Sequence, residues 1–248
     1  MTRATNYVIS TTAFVLMASI GVPASAAGTH QLVLYRPATS TFYIRQEEAN
    51  APVTQVPFGA PGDVPFFADF TGDGKREPAL YRKGEWMIST HADGKVDITT
   101  TFGGQPGEIP LVADVDGDGK ADFALFRSGA WYVRGSSKPA ITLSFHFGIA
   151  GDKPLLADFD GDGKVDFAVY RAGHWYVDTN RDGKAKLDFV FGGEPADRAL
   201  AVDWDGHAAP ALFRAGVWLV SGQHDGKVSA QYGFGATGDI PLAAFIQK

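Results

Sequence analysis

Short apolar runs alternate with turns rich in glycine and aspartate along most of this chain, and the alternation keeps one frame. Gly-Asp-x-Pro opens the frame at Gly62-Asp63-Val64-Pro65, Gly151-Asp152-Lys153-Pro154 and Gly238-Asp239-Ile240-Pro241, with Gly107-Glu108-Ile109-Pro110 as a near copy. An apolar strand follows (Phe66-Phe67-Ala68, Leu111-Val112-Ala113, Leu155-Leu156-Ala157), then an acidic loop. A second strand ends in an aromatic residue and arginine: Tyr81-Arg82, Phe126-Arg127, Tyr170-Arg171 and Phe213-Arg214. Turns at Gly84, Gly129, Gly173 and Gly216 lead to a third strand carrying Trp86, Trp131, Trp175 or Trp218. Asp93-Gly94, Asp182-Gly183 and Asp225-Gly226 predict hairpins into a fourth strand, which ends at Phe102-Gly103, Phe147-Gly148, Phe191-Gly192 or Phe234-Gly235. Runs this short, punctuated this often, predict an all-β chain.

The leading aspartates of the acidic loops, Asp69, Asp114, Asp158 and Asp203, lie 45, 44 and 45 residues apart. Four antiparallel strands in such a period make one propeller blade, which must stack on its neighbours to bury a core. Residues 31–59 lack the first strand and the acidic loop but keep Tyr35-Arg36, Phe42-Tyr43 and Phe58-Gly59. Residues 238–248 supply an opening strand and stop. Joined, the two fragments complete a fifth blade and leave no exposed sheet edge. The expected fold is a five-bladed β-propeller closed by strands from both ends, the rival being an array completed by a neighbouring chain.

The acidic loops carry the clearest chemistry. In Asp158-x-Asp160-x-Asp162-x-Lys164-x-Asp166, carboxylates at positions 1, 3, 5 and 9 can converge, with the Lys164 carbonyl at position 7. Asp114, Asp116, Asp118, Lys120 and Asp122 repeat the set. Asp69, Thr71, Asp73, Lys75 and Glu77 form a reduced version with one carboxylate fewer. Aspartate and glycine also form turns with no metal present. However, each close pair of carboxylates costs about 3 kcal/mol at an effective dielectric of about 20. An all-oxygen set in a flexible loop suits Ca²⁺ better than Mg²⁺. A helix-loop-helix site is disfavoured, because no position-12 glutamate is present and β-prone residues follow. The fourth copy, Asp203-Trp204-Asp205-Gly206-His207, is shorter and is expected to lack metal. Three calcium sites are therefore expected, each tying the first strand of its blade to the second.

These repeats resemble the FG-GAP/VCBS family, known from integrin α-subunit propellers and exported bacterial proteins. The likeness is carried by Phe147-Gly148, Gly151-Asp152-Lys153-Pro154, the Asp158 loop, Tyr170-Arg171 and Trp175-Tyr176, and it recurs over nearly all of the chain beyond residue 27. It implies a calcium-binding propeller. The family serves as lectins, adhesion modules and appendages of enzymes, so the resemblance implies a binding module, with an extracellular glycan or a cell-surface protein as partner.

Composition narrows the function classes. A formal charge of −6, without a Lys/Arg cluster, argues against nucleic acid, and the absence of cysteine excludes a thiol nucleophile and disulfides. Arg3, the apolar run from Val8 to Val22 and Ala24-Ser25-Ala26 read as a signal peptide over 1–26, cleaved to leave a propeller over 27–248. The product is then secreted or periplasmic, with no membrane span in the mature chain. No Gly-x-Ser-x-Gly elbow, His-Glu-x-x-His helix or phosphate loop occurs, so an enzyme is not expected. A glycoside hydrolase or lyase would need acids that break the repeat, and Glu85 and Glu194 are the candidates. Arginines Arg36, Arg82, Arg127, Arg171 and Arg214 are expected to share one face with Asp63, Glu108, Asp152, Asp197 and Asp239, and to pair between neighbouring blades. The Trp position is expected in the core.

Overall fold

The computed structural model describes residues 30–46, 52–138, 140–204 and 206–246, so the expected signal peptide lies outside the described residues. Twenty strands form among them. In chain order, β1 (His30–Arg36), β2 (Thr41–Arg45) and β3 (Thr54–Pro57) come first. The first complete blade is β4 (Val64–Ala68), β5 (Glu77–Arg82), β6 (Glu85–Ile88) and β7 (Ile98–Thr101). The second is β8 (Ile109–Ala113), β9 (Asp122–Arg127), β10 (Ala130–Arg134) and β11 (Ile141–His146). The third is β12 (Lys153–Ala157), β13 (Asp166–Arg171), β14 (His174–Asp178) and β15 (Leu187–Val190). The fourth is β16 (Arg198–Trp204), β17 (His207–Arg214), β18 (Val217–Val220) and β19 (Ala230–Gly233). The last strand, β20 (Ile240–Ile246), pairs antiparallel with β1 from His30↔Ile246 to Tyr35↔Ile240 and completes a fifth blade, β20-β1-β2-β3. The chain is a five-bladed β-propeller closed within its own length.

Alternation along each strand places the core between blades. Trp86, Trp131, Trp175 and Trp218 are fully buried, and Phe42 takes the position in the fifth blade. Trp131 packs edge-on against Phe126 of its own blade and Phe167 of the next, and Trp86 does the same with Tyr81 and Phe123. Each indole Nε1–H also donates to the carbonyl of the Phe that ends its blade, at 2.9–3.0 Å for Phe102, Phe147, Phe191 and Phe234. The Phe N–H in turn donates to the carbonyl of the turn glycine, Gly84, Gly129, Gly173 or Gly216. These turns need left-handed glycine: a Cβ on Gly129, at φ 91°, would lie 2.5 Å from the Gly148 carbonyl oxygen. Because Phe42 already serves in one blade, Trp175→Phe should fold. It should lose about 1–2 kcal/mol for the missing hydrogen bond and ring volume, against about 3–5 kcal/mol for Trp175→Ala. Urea denaturation of the two variants checks that order.

Candidate metal centres and ligand-binding face

Each complete acidic loop lies between the end of a first strand and the start of a second. The position-1 aspartate forms a collar for the loop backbone. Asp158 Oδ1 accepts the Gly161 and Asp162 N–H groups at 2.7 and 3.1 Å, and Oδ2 accepts that of Gly163 at 2.8 Å. Asp114 does likewise with Gly117, Asp118 and Gly119, and Asp69 with Gly72 and Gly74. Left-handed glycines make this curl possible, with Gly161 at φ 78° and Gly163 at φ 82°. The position-9 acid opens the second strand and is buried: Glu77, Asp122 and Asp166 are 3%, 0% and 1% exposed. It accepts the position-2 N–H, from Phe70 (2.8 Å), Val115 (3.0 Å) and Phe159 (2.8 Å).

Three acids converge in each loop: Asp69, Asp73 and Glu77; Asp114, Asp116 and Asp122; Asp158, Asp160 and Asp166. Within each group one carboxylate oxygen per residue lies within 4.8 Å of the others. Other members of the expected sets point elsewhere. Asp118 accepts the Lys120 N–H and the Ser136 and Ser137 hydroxyls, and Asp162 accepts the Lys164 N–H and ammonium. Asp73 accepts the Lys75 N–H as well as joining its cluster. The Thr71 hydroxyl donates to Glu77 at 3.3 Å.

The donors fit a hard divalent cation. Asp166 Oδ1 is buried without a hydrogen-bond partner. Burial, with the charges of Asp160 and Asp158 adding to it, pushes the Asp166 carboxyl from 3.8 up to about 6, against the pull of the Phe159 and Asp160 N–H groups. Burial raises Glu77 and Asp122 in the same direction. A carboxyl raised on folding stabilises the fold when protonated. That contribution is full below pH 3.8 and is lost as the pH rises through about 6, so in metal-free protein at pH 7 an ionised Asp166 works against folding. Asp166→Asn should therefore melt at or above the wild-type temperature in chelator and below it in saturating calcium. Calorimetric titration should show one calcium site fewer.

The loops also join blades, a role that goes beyond the expected tie between two strands of one blade. Their position-2 residues Phe70, Val115 and Phe159 are buried against the following blade, Phe70 stacking on Phe123 at 6.1 Å. The Ala121 N–H donates to the Asp69 carbonyl, and the Ala208 N–H to the Asp158 carbonyl, both at 2.7 Å and both between blades. In the fourth blade the strands run on as a tight hairpin, Trp204 pairing with His207. Asp205 lies outside the described residues, and Asp203 accepts the Gly206 N–H. One loop escaped the sequence reading: Asp178, fully buried, accepts the N–H groups of Asn180, Arg181, Asp182 and Gly183 in the β14–β15 hairpin. Its signal was the spacing Asp178-x-Asn180-x-Asp182-Gly183.

The arginines and acids of the opposite face pair within blades, which corrects the expectation of pairing between them. The register Val64↔Tyr81 sets Asp63 opposite Arg82, and the acid receives Nε and Nη2 at 2.6 and 2.8 Å. Arg171–Asp152, Arg214–Asp197, Arg127–Glu108 and Arg36–Asp239 repeat the pair. Burial alone would raise the Asp63 carboxyl; the Arg82 and Ala60 donors overcome it and hold the group below its usual range. Arg36, Arg127 and Arg171 also cover the rings of Tyr43, Tyr132 and Tyr176 at 4.6–5.6 Å. Glu85 and Glu194 are both exposed, Glu85 at the start of β6 and Glu194 in the connector before β16.

A cavity of about 570 Å³ occupies the ring centre. Its walls include Pro65, Pro110, Pro154 and Pro241, and its polar lining includes Asp69, Asp114, Asp158, Asp203, Arg76 and His207. Desolvation brings the Arg76 guanidinium down to about 10, against the charges of Asp203 and Asp69. Among the described residues, no helix is long and apolar enough to cross a membrane.

By sequence the chain matches no protein family and no curated protein. Solved structures share its fold. A protein of unknown function from Bacteroides caccae gives a TM-score of 0.52 at 12% identity, over 84% of this chain and 73% of that one. A lectin from Agrocybe aegerita, described for specific recognition of non-reducing terminal N-acetylglucosamine, gives 0.46 at 19% identity, over 85% and 67%. At such identities the likeness concerns the fold alone.

Proposed function

We propose that the chain is a calcium-binding propeller of the FG-GAP/VCBS type, exported from the cell, that binds carbohydrate without transforming it. The observation that carries the metal is the buried position-9 carboxylate facing two further acids in each of three loops. Calcium accepts such irregular all-oxygen sets, and its charge removes the like-charge cost. The loop backbones are already curled by the position-1 aspartate, so binding needs little ordering.

The carbohydrate reading rests on the repeat resemblance and on the central cavity. Apolar walls of proline, leucine and valine below carboxylate, guanidinium and imidazole groups supply what a sugar needs, a C–H surface and convergent hydrogen-bonding groups. Neutralising the three loops with calcium leaves Asp203, Arg76 and His207 as singular polar residues of the lining, where the other blades repeat one another. A glycan array probed in calcium and in chelator tests the reading. Calcium-dependent binding to a defined glycan class supports it; a blank array with folded protein overturns it and directs the search to a protein partner.

A further inference from the structure

Among the described residues, two blade junctions, fourth to fifth and fifth to first, lack the acidic loop that the first three complete blades present to their successors, and the second of them leaves a pocket. Where the first and second blades meet, Gly119, Lys120 and Ala121 close onto the preceding acidic loop. Ala121 N–H donates to the Asp69 carbonyl, and the Lys120 stem lies so close to Gly72 that a Cβ there would sit 3.0 Å from it. The same three positions in the first blade are Gly74, Lys75 and Arg76. They face the fifth blade, where β20 and β1 come from opposite ends of the chain and, among the described residues, no acidic loop connects them. Gln31 stands there at the position held by Glu77, Asp122 and Asp166 in the other blades. A pocket of about 490 Å³ results, lined by Gln31, Ile44, Gln46, Thr54 and Phe67 together with Gly74, Lys75 and Arg76.

The chemistry of this pocket differs from the rest of the metal face. Two cations, two amides and a hydroxyl lie over an apolar floor of Ile44 and Phe67, with no carboxylate in the lining among the described residues. Lys75 has a side chain 84% exposed and a long 3.9 Å contact to Asp73. Without a bound ion, Asp69, Asp73, Glu77 and the nearby Asp203 outweigh Lys75 and Arg76; a divalent ion in the first loop cancels that excess of negative charge. Phe67 and Arg76 also line the central cavity, so the two spaces adjoin.

We propose that this seam pocket binds the carboxylate of an acidic sugar, so that the glycan recognised is a uronate-bearing oligosaccharide reaching from the central cavity past Arg76. The proposal rests on the carbohydrate reading above. A guanidinium and an ammonium bind a carboxylate through charge-assisted hydrogen bonds, and the amides and Thr54 accept and donate to neighbouring hydroxyls. No other junction among the described residues offers this set, so one site per chain is expected.

The test is calorimetric titration, in calcium, with a glucuronate-containing tetrasaccharide and with its carboxyl-reduced counterpart, in which each glucuronate becomes glucose. The expected result is one site, at least about tenfold tighter for the uronate, lost in Lys75→Ala and Arg76→Gln. Because Arg76→Gln can also disturb the first loop, Gln46→Trp serves as a second variant. It starts from an exposed position, fills the pocket and leaves the acidic loops untouched, and it should abolish uronate binding at an unchanged melting temperature. Equal binding of both tetrasaccharides, or uronate binding that survives Gln46→Trp, overturns the seam site and leaves the carbohydrate reading standing. Binding of neither, with a glycan array that reports a neutral sugar, does the same. Binding of neither with a blank array removes the carbohydrate reading itself.

Discussion

Chelating calcium should lower the melting temperature of the protein by about 15 °C or more. The magnitude follows from three loops, each bringing three acids together with a buried carboxylate at its base. An ion that binds only the native state at a free concentration near 100 times its dissociation constant contributes about 2.7 kcal/mol per site. Three sites approach 8 kcal/mol, and a domain of this size shifts by about 2–4 °C per kcal/mol. The loss should exceed what intrablade disorder alone produces, because the loops hold Phe70, Val115 and Phe159 against the neighbouring blades. Differential scanning calorimetry in millimolar calcium and in chelator makes the measurement, with magnesium as a control that restores little. A melt that does not move on chelation would sink the structural role of the ion.

Deleting β20 should abolish cooperative folding. Without residues 239–248 the fifth blade loses its innermost strand, β1 presents an open edge, and the parallel contact of Asp203 and Trp204 with Phe245 and Ile246 disappears. The Arg36–Asp239 clamp goes with it. A milder change separates the clamp from the strand. Asp239 is 2% exposed as a side chain and Arg36 is 35% exposed, so the arginine can find water if its partner is lost and the aspartate cannot. Arg36→Leu should therefore cost about 3 kcal/mol, more than Asp239→Asn, since it strands a buried charge. Chemical denaturation of both variants gives the order; equal costs would mean that the clamp is dispensable and that the strand pairing alone closes the ring.

The repeat made the architecture legible, because a frame that recurs from Asp69 to Asp203 shows which residues share a role. The complementary fragments around Tyr35-Arg36 and Gly238-Asp239 exposed the closure in the same way, and the structure pairs them as β1 and β20. The frame also placed position 9 of the acidic loops, which the structure buries at the start of the second strand and sets beside two further acids. Asp118 and Asp162 were less legible: spacing places them on the loop, but the donors nearest them, the Lys120 and Lys164 N–H groups, decide where they point. Arginine pairing depends on strand register, a tertiary fact, so Asp63 was assigned to the right face and the wrong neighbour. The seam pocket was hidden for a different reason. It arises from a connection missing between β20 and β1, and its only trace in the sequence is a glutamine, Gln31, where the frame elsewhere has an acid.

The pairing of β1 with β20 sets the timetable of folding. Arg36 and Asp239 are 203 residues apart, so β1 must wait for β20 to leave the ribosome before it can pair. Ring closure over such a separation carries a large loop entropy and a high contact order, which slow the final step. A nascent chain therefore has no closed native state to reach until β20 has been made, and β1 spends that interval with an unpaired edge.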